Sequence, residues 1–155
     1  MADDETSVLV LSGMGVPPFS IRAAQQQVAP IQAAVQLHRT VNGALVDFSE
    51  DEFQKYQATI TCSDQQPPAL AGQWPGRQVL DVDWIVELAI ALTTDLEATD
   101  DPDEIDGREV VEGSWRTEDA FGFYRPRVAM LVTGFTVTRD EYQAITSWQL
   151  TLEEI

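Results

Sequence analysis

Hydrophobic and polar residues alternate along several segments of this chain, which predicts β-strands. Residues 56–62, "YQATITC", alternate Tyr, Ala, Ile and Cys with Gln and Thr, the pattern of a strand with one buried face. Residues 80–90, "LDVDWIVELAI", place six hydrophobic residues on one face. Asp81, Asp83 and Glu87 fall on the other face, so we expect one continuous strand with an acidic, exposed side.

The two ends of the chain also predict strands. Residues 127–138 form a long predicted strand, and residues 143–153 form a closing strand with its Trp and Leu side chains on one face. Near the N-terminus, residues 7–11, "SVLVL", predict a strand at the edge of the fold or in an arm that reaches a neighbouring subunit.

Helical signals are few. Residues 22–37 are rich in Ala and Gln, but Pro30 interrupts any continuous helix. We expect a short helix or loop before Pro30 and an extended segment after it. Ser49 and Glu52 have capping-box spacing, which predicts a short helical turn. The chain is therefore predicted to be mainly β, an antiparallel sandwich or barrel with one or two short helices and long loops.

The length of 155 residues, 44% of them hydrophobic, suits one domain. We divide the chain into an N-terminal arm, residues 1–20, and a single β domain, residues 21–155. Residues 95–119 hold eleven acidic residues against Arg108 and Arg116, which predicts a protruding, solvated loop. Its spacing does not fit an EF-hand, and cation binding by this loop stays an open question.

Charge limits the classes of partner. Nine Lys and Arg residues against 26 Asp and Glu residues give a formal net charge of -17. Nucleic acid is excluded as a partner, because binding it requires a basic surface. There is no apolar run long enough to cross a membrane, and the acidic N-terminus is unlike an export signal. We therefore expect no membrane insertion and synthesis in the cytoplasm. An acidic surface is also typical of proteins from salty environments.

An Asn-Gly pair within residues 36–56, "QLHRTVNGALVDFSEDEFQKY", predicts a β-hairpin. A two-residue type I′ turn at Asn42 and Gly43 would pair Arg39 with Val46 and would send Val41, Val46 and Phe48 inward. The same register places the only histidine of the chain, at position 38, opposite an aspartate.

That predicted pair, His38 and Asp47, supplies two members of a nucleophilic triad. The chain has no G-x-S-x-G sequence, and the single cysteine, Cys62, is predicted to point into the core. We therefore predict a cross-strand polar pair, no catalytic residues and no enzymatic activity. One cysteine also excludes an internal disulfide and a cysteine-based zinc site. No cofactor or metal is expected.

Tryptophan and arginine residues in predicted loops have the composition of interface hot spots. Trp74 and Arg77 lie in "QWPGRQ", and Trp115 and Arg116 lie in "GSWR". The two arginines of "FYRPR", Arg125 and Arg127, complete the set of interface candidates, because arginine pairs well with carboxylates across interfaces.

The order of several motifs along the chain carries a family resemblance. "RTVNGALVDFS" is followed by "FQKYQATITCSDQQPPAL", then by "WPGRQVLDVDWIVEL", and finally by a C-terminal "W-x-L-x-L-E-E". From residue 30 to residue 155 the chain resembles small structural proteins of tailed-bacteriophage virions that are encoded among tail and baseplate genes. The acidic residues 95–119 and the N-terminal entry depart from that pattern.

The resemblance implies a non-enzymatic β-sandwich subunit that assembles as a ring around the tail axis, in the tail tip or baseplate. The implied partners are copies of itself and other tail or virion proteins, and the implied location is the virion, assembled in the host cytoplasm. Other positions in the tail, neck or capsid decoration stay open. Two alternatives remain: a carbohydrate-binding, adhesin-like β module that uses Trp74 and Trp115, and a small hydrolase that uses His38 and Asp47.

Overall fold

The computed structural model describes residues 8–69, 74–92, 101–142 and 144–155. The described chain is mainly β and antiparallel, which confirms the predicted fold class. Its strands are β1 (Val10–Ser12), β2 (Gln25–Pro30), β3 (Leu37–Arg39), β4 (Leu45–Asp47), β5 (Tyr56–Asp64), β6 (Val79–Asp83), β7 (Leu88–Ala91), β8 (Glu104–Ile105), β9 (Arg108–Val110), β10 (Arg116–Glu118), β11 (Phe121–Tyr124), β12 (Pro126–Arg139) and β13 (Thr146–Glu154). Two short 3-10 turns, Gln32–Ala34 and Asp51–Phe53, supply the helical residues.

The strands form one large sheet and two small ones. The large sheet has the order β1-β6-β12-β13-β5-β2, with β9 beside the start of β12 and β8 beside β9. A second sheet has the order β10-β11-β7, and β3 and β4 pair only with each other. The hairpin of β3 and β4 therefore stands apart from both other sheets.

One face of the large sheet forms the main core. The alternation predicted for residues 56–62 is confirmed, since Ala58, Ile60 and Cys62 of β5 are buried. The closing strand is also confirmed, with Trp148 and Leu150 buried on the same face. Each large side chain buried in this way contributes about 1.5–3 kcal/mol, so this face supplies most of the stability.

The large sheet curls around its core without closing into a barrel among the described residues. The side chain of Gln26, on edge strand β2, accepts hydrogen bonds from the backbone N–H groups of Ile85 (2.7 Å) and Val86 (3.2 Å), just beyond β6. Tyr56 and Trp84 also meet across the interior, with ring centroids 5.5 Å apart. Side chains therefore join regions that the sheet order separates.

The continuous strand predicted at residues 80–90 is wrong. β6 ends at Asp83, and β7 belongs to the second sheet. The N–H groups between them bond to the amide oxygen of Gln26 where a strand partner would otherwise accept them. Asp83, predicted to be exposed, is buried against Arg127.

The predictions around Pro30 are also wrong. A strand, β2, precedes Pro30, and a 3-10 turn follows it. Pairing with β5 outweighs the helix propensity of Ala and Gln, and a proline is tolerated here because β2 lies at the sheet edge. The helical turn after Ser49 is confirmed as Asp51–Phe53, but it has no capping box, since Ser49 Oγ accepts from Gln36 N instead.

Two segments expected to protrude are partly folded. Of the predicted arm, residues 1–7 lie outside the described residues, while Leu9 and Leu11 are buried and β1 pairs with β6. Of the predicted acidic loop, residues 93–100 lie outside the described residues. The remainder forms β8, β9 and β10, with Ile105 buried.

Candidate protein interface

The β3–β4 hairpin has a register that differs by one residue from the predicted one. Arg39 pairs with Leu45, because Gly43 N bonds to Thr40 O and Thr40 N bonds to Ala44 O, both at 2.8 Å. Gly43 has a φ of 80°, and Asn42 has no positive φ. The turn is therefore a three-residue loop with glycine at its left-handed position, and the predicted two-residue type I′ turn is wrong.

This register separates His38 from Asp47. His38 pairs with Val46, and its ring lies 5.7 Å from that of Phe48. Asp47 pairs with Leu37 and accepts a hydrogen bond from Ser49 N at 2.8 Å. Hydrogen bonds from Ser49 lower the pKa of Asp47. The predicted cross-strand polar pair is therefore wrong, because each of the two side chains lies opposite a hydrophobic residue.

The hairpin exposes apolar side chains on both of its faces. Val41 at its tip is fully exposed and Phe48 is 59% exposed, although both were predicted to point inward. Leu37 and Leu45 share the other face and are each at least half exposed. An isolated two-stranded hairpin is only marginally stable in water, and clustered exposed apolar side chains mark interaction sites. We call β3, β4 and their turn, residues 37–47, the apolar hairpin.

A second exposed apolar cluster lies where β12 turns into β13. Tyr142 is 91% exposed, Ile145 is 53% exposed and Val137 is 45% exposed. Asp140 and Glu141 are exposed beside them. We call residues 140–142 and 144–145 the distal turn. This cluster was not predicted from the sequence, in which only the acids beside Tyr142 indicate an exposed position.

Trp74 and Arg77 sit on a rigid turn. Arg77 N bonds to Trp74 O at 3.1 Å, Gly76 has a φ of 77°, and Gly76 N bonds to Val132 O at 2.8 Å. This is the geometry of a type II turn with proline and glycine at its centre. Trp74 is 62% exposed, and the guanidinium of Arg77 has no ion pair within the described chain. Both candidates are thus available to a partner.

Trp115, in contrast, packs inside its own subunit. Its ring covers Gly122 of β11 so closely that a side chain there would overlap it. It also packs against the second buried cluster, formed by Ile105, Val110 and Tyr124. The structure therefore places Trp115 as an anchor of the second sheet.

Arg116, Arg125 and Arg127 all have intramolecular partners. Arg116 donates to Glu87 and Glu118, and its hydrogen bonds lower the pKa of Glu87. Arg127 donates to the carboxylates of Asp83 and Glu109. Arg125 donates to the carbonyls of Trp84 at 3.4 Å and Val8 at 3.5 Å. The hydrogen bonds that Arg127 donates to the Asp83 carboxylate raise the pKa of Arg127.

Two ion pairs fix the ends of the large sheet. At one end Arg22 bonds to both carboxylate oxygens of Asp64, and these hydrogen bonds lower the pKa of the largely buried acid. At the other end Arg108 bonds to both oxygens of Glu154 at 2.9 Å, with both side chains largely buried. Burial raises the pKa of the Cys62 thiol, which suits a core residue and not a nucleophile.

A groove of about 790 Å³ lies beneath the hairpin. Its walls include Asp47 and Asp51 together with Lys55, Asp106 and Arg108. Within the described ranges, no three His, Cys, Asp or Glu residues are arranged to hold a metal ion. The base of the apolar hairpin thus lies at the Glu154 end of β13.

One region of the outer face of the large sheet is polar and uncharged, although Asp81, Arg127 and Glu153 lie elsewhere on the same face. Its shallow concavity of about 410 Å³ is lined by hydroxyl and amide side chains: Gln25, Thr61, Ser63, Thr136, Thr138, Ser147 and Gln149. Ser63 and Ser147 share a hydrogen bond of 2.9 Å between their hydroxyls. On a chain with a net charge of -17, this face can approach a neutral polar surface without repulsion.

Comparisons with known proteins returned no match to a family model, a curated protein or a solved structure. Within the described part of the chain, no helix is long and apolar enough to cross a membrane.

Proposed function

We propose that this chain is a non-enzymatic structural subunit of a tailed-phage virion, assembling as a ring in the tail tip or baseplate region. Other positions in the tail, the neck or the capsid decoration are the alternatives within the same class. The proposal rests on the motif order between residues 30 and 155 and on the surfaces described above.

The apolar hairpin carries the proposal. It pairs with neither of the other two sheets, and its side chains Leu37, Val41 and Leu45 are exposed. Covering them by another protein removes apolar area from water at about 25 cal/mol per Å². In a structural subunit, a neighbouring protein covers such a surface permanently.

The distribution of charge along the chain favours the hairpin as the surface that contacts another protein. Residues 38–46 contain His38 and Arg39 but no acidic residue, and the one acid of the hairpin, Asp47, lies in the groove at its base, whereas the whole chain carries -17. Copies of the chain repel one another over most of their surfaces. A segment without acidic residues can approach an acidic neighbour without that repulsion. The proposed partners are therefore other copies of the chain and other tail or virion proteins. Binding to nucleic acid and insertion into a membrane are not part of the proposal.

The separation of His38 from Asp47 supports the non-enzymatic part of the proposal. The candidate hydrolase needed these side chains in contact, and the observed register pairs each with a hydrophobic residue. The location that follows from the proposal is the virion tail, after assembly in the host cytoplasm.

Purified virions test the proposal. Particles of the phage that encodes the chain should contain it in a fixed number of copies, which quantitative mass spectrometry of the virion proteins measures. Particles that lack the chain entirely would overturn the proposal.

A carbohydrate-binding module is the second candidate, and Trp74 favours it. An exposed indole on a hydrogen-bonded turn is suited to stacking on a sugar ring, and the uncharged concavity of the outer face offers donors and acceptors for hydroxyl groups. Trp74→Ala should abolish glycan retention if this candidate is right. Unchanged retention in that variant, or no retention by the wild type, would dismiss it.

A further inference from the structure

The apolar hairpin and the distal turn lie at opposite ends of strand β13. The distal turn leads into Thr146, and the groove beneath the hairpin is lined by Glu154. A strand of nine residues spans about 27 Å at about 3.4 Å per residue. The hairpin of one chain therefore cannot cover the distal turn of the same chain.

The two surfaces match in chemistry. The hairpin presents Val41 and Leu45 beside Arg39, and the distal turn presents Tyr142 beside Glu141. Apolar side chains of both can be buried together, while a basic residue meets an acidic one.

A free sheet edge adjoins the distal turn. The pairing of β12 with β6 ends at Leu131 and Val79, and Val132 N still bonds to Gln78 O. Beyond that point, residues 134–139 pair only with β13 within the described chain. An unpaired edge of this kind accepts an added strand from another molecule.

We infer that the hairpin of one copy docks on the distal turn and the adjoining free edge of β12 in the next copy. The occupant of each surface is thus a second copy of this chain. Two different patches meet in this contact, so it is heterologous and propagates from copy to copy, closing into a ring when the rotation allows. This inference specifies the self-contact of the proposed function and rests on it.

Two variants separate this contact from every other mode of association. The hairpin variant carries Val41→Asn and Leu45→Thr, and the distal-turn variant carries Tyr142→Ser and Ile145→Thr. All four positions are at least half exposed, so folding should survive, and a circular dichroism melt verifies it. Phe121→Thr, at an exposed apolar residue of β11, is the matched control.

Mass photometry and sedimentation velocity supply the readout. We expect the wild type and the control to assemble. Each double variant alone should stay monomeric at concentrations at which the wild type assembles, because its concentration for half-assembly is about tenfold or more above that of the wild type. An equimolar mixture of the two variants should give a dimer that grows no further, because only one intact hairpin and one intact distal turn remain to meet.

Three results would overturn the inference. If the distal-turn variant assembles like the wild type, the hairpin contacts something else, such as another hairpin. If the variants are monomeric but their mixture forms no dimer, the two surfaces do not meet. If the wild type is monomeric at every concentration, the inference and the self-assembly in the proposed function fail together, whereas the first two results leave that function intact.

Discussion

Arg108 donates hydrogen bonds to both carboxylate oxygens of Glu154, with N–O distances of 2.9 Å. The guanidinium also lies 4.9 Å from the ring centroid of Tyr56, whose backbone N–H donates to the same carboxylate. The C-terminal Glu-Glu motif is thereby tied to the start of β5. Glu154→Gln should lower the free energy of unfolding by about 3 kcal/mol, because a largely buried arginine loses its counter-charge.

Denaturant unfolding measures this effect, and the neighbouring Glu153→Gln is its control. Glu153 is partly exposed and has no ion pair within the described chain, so its replacement should change stability by less than about 0.5 kcal/mol. Equal effects of the two substitutions would contradict the importance of the pair.

Gly122 leaves the space that Trp115 occupies. Gly122→Ala should destabilise the second sheet by about 1–3 kcal/mol, since the added methyl overlaps the indole and forces a shift. Gly134→Ala is the control, because its methyl would meet only Thr151 Oγ1 at 3.7 Å. Thermal unfolding that is indifferent to Gly122→Ala would show that the indole does not cover this residue.

Two tryptophans that lie ten positions apart in the chain should behave oppositely. Trp84 is fully buried and Trp74 is 62% exposed, so Trp84→Ala should cost about 3–5 kcal/mol of stability. Trp74→Ala should leave unfolding nearly unchanged but weaken assembly. Measuring both unfolding and particle mass for each variant separates the roles, and a stability loss with Trp74→Ala would refute the exposed position of its ring.

Asp64 should make the free energy of unfolding depend on pH under acidic conditions. Hydrogen bonds from Arg22 lower the pKa of Asp64 in the folded chain. The pair therefore stabilises the fold above the unfolded pKa of about 3.9. This contribution is lost as the pH falls through the lower, folded value.

Asp64→Asn should thus cost about 1–2 kcal/mol near pH 7, a modest value because Arg22 is half exposed. The difference from the wild type should shrink towards zero as the pH approaches the folded pKa. Urea unfolding across pH 2–7 measures it. A difference that stays constant over this range would mean that the carboxylate is not paired.

Strand positions with a two-residue alternation could be predicted from the sequence, because the alternation directly reports a buried face. Residues 56–62 and the Trp148 strand are examples. The break in the strand after Asp83 could not be predicted from the local sequence. It depends on Gln26, almost sixty positions away, whose side-chain oxygen accepts hydrogen bonds from the backbone N–H groups of Ile85 and Val86.

The hairpin illustrates the limit for the candidate interface. Its existence followed from Asn42 and Gly43, but either a two-residue or a three-residue loop fits that pair. The choice shifts the register by one position, which reversed the environment of Phe48 and separated His38 from Asp47. The distal turn was missed because exposure of Tyr142 is a property of the folded sheet.

The mass of the assembled species tests the central claim most directly. Mass photometry of the purified 155-residue chain should show one discrete particle at an integral multiple of 17.2 kDa, and electron microscopy of that particle should show a ring. A monodisperse 17.2 kDa species that persists at high concentration and never joins purified tails would contradict the account.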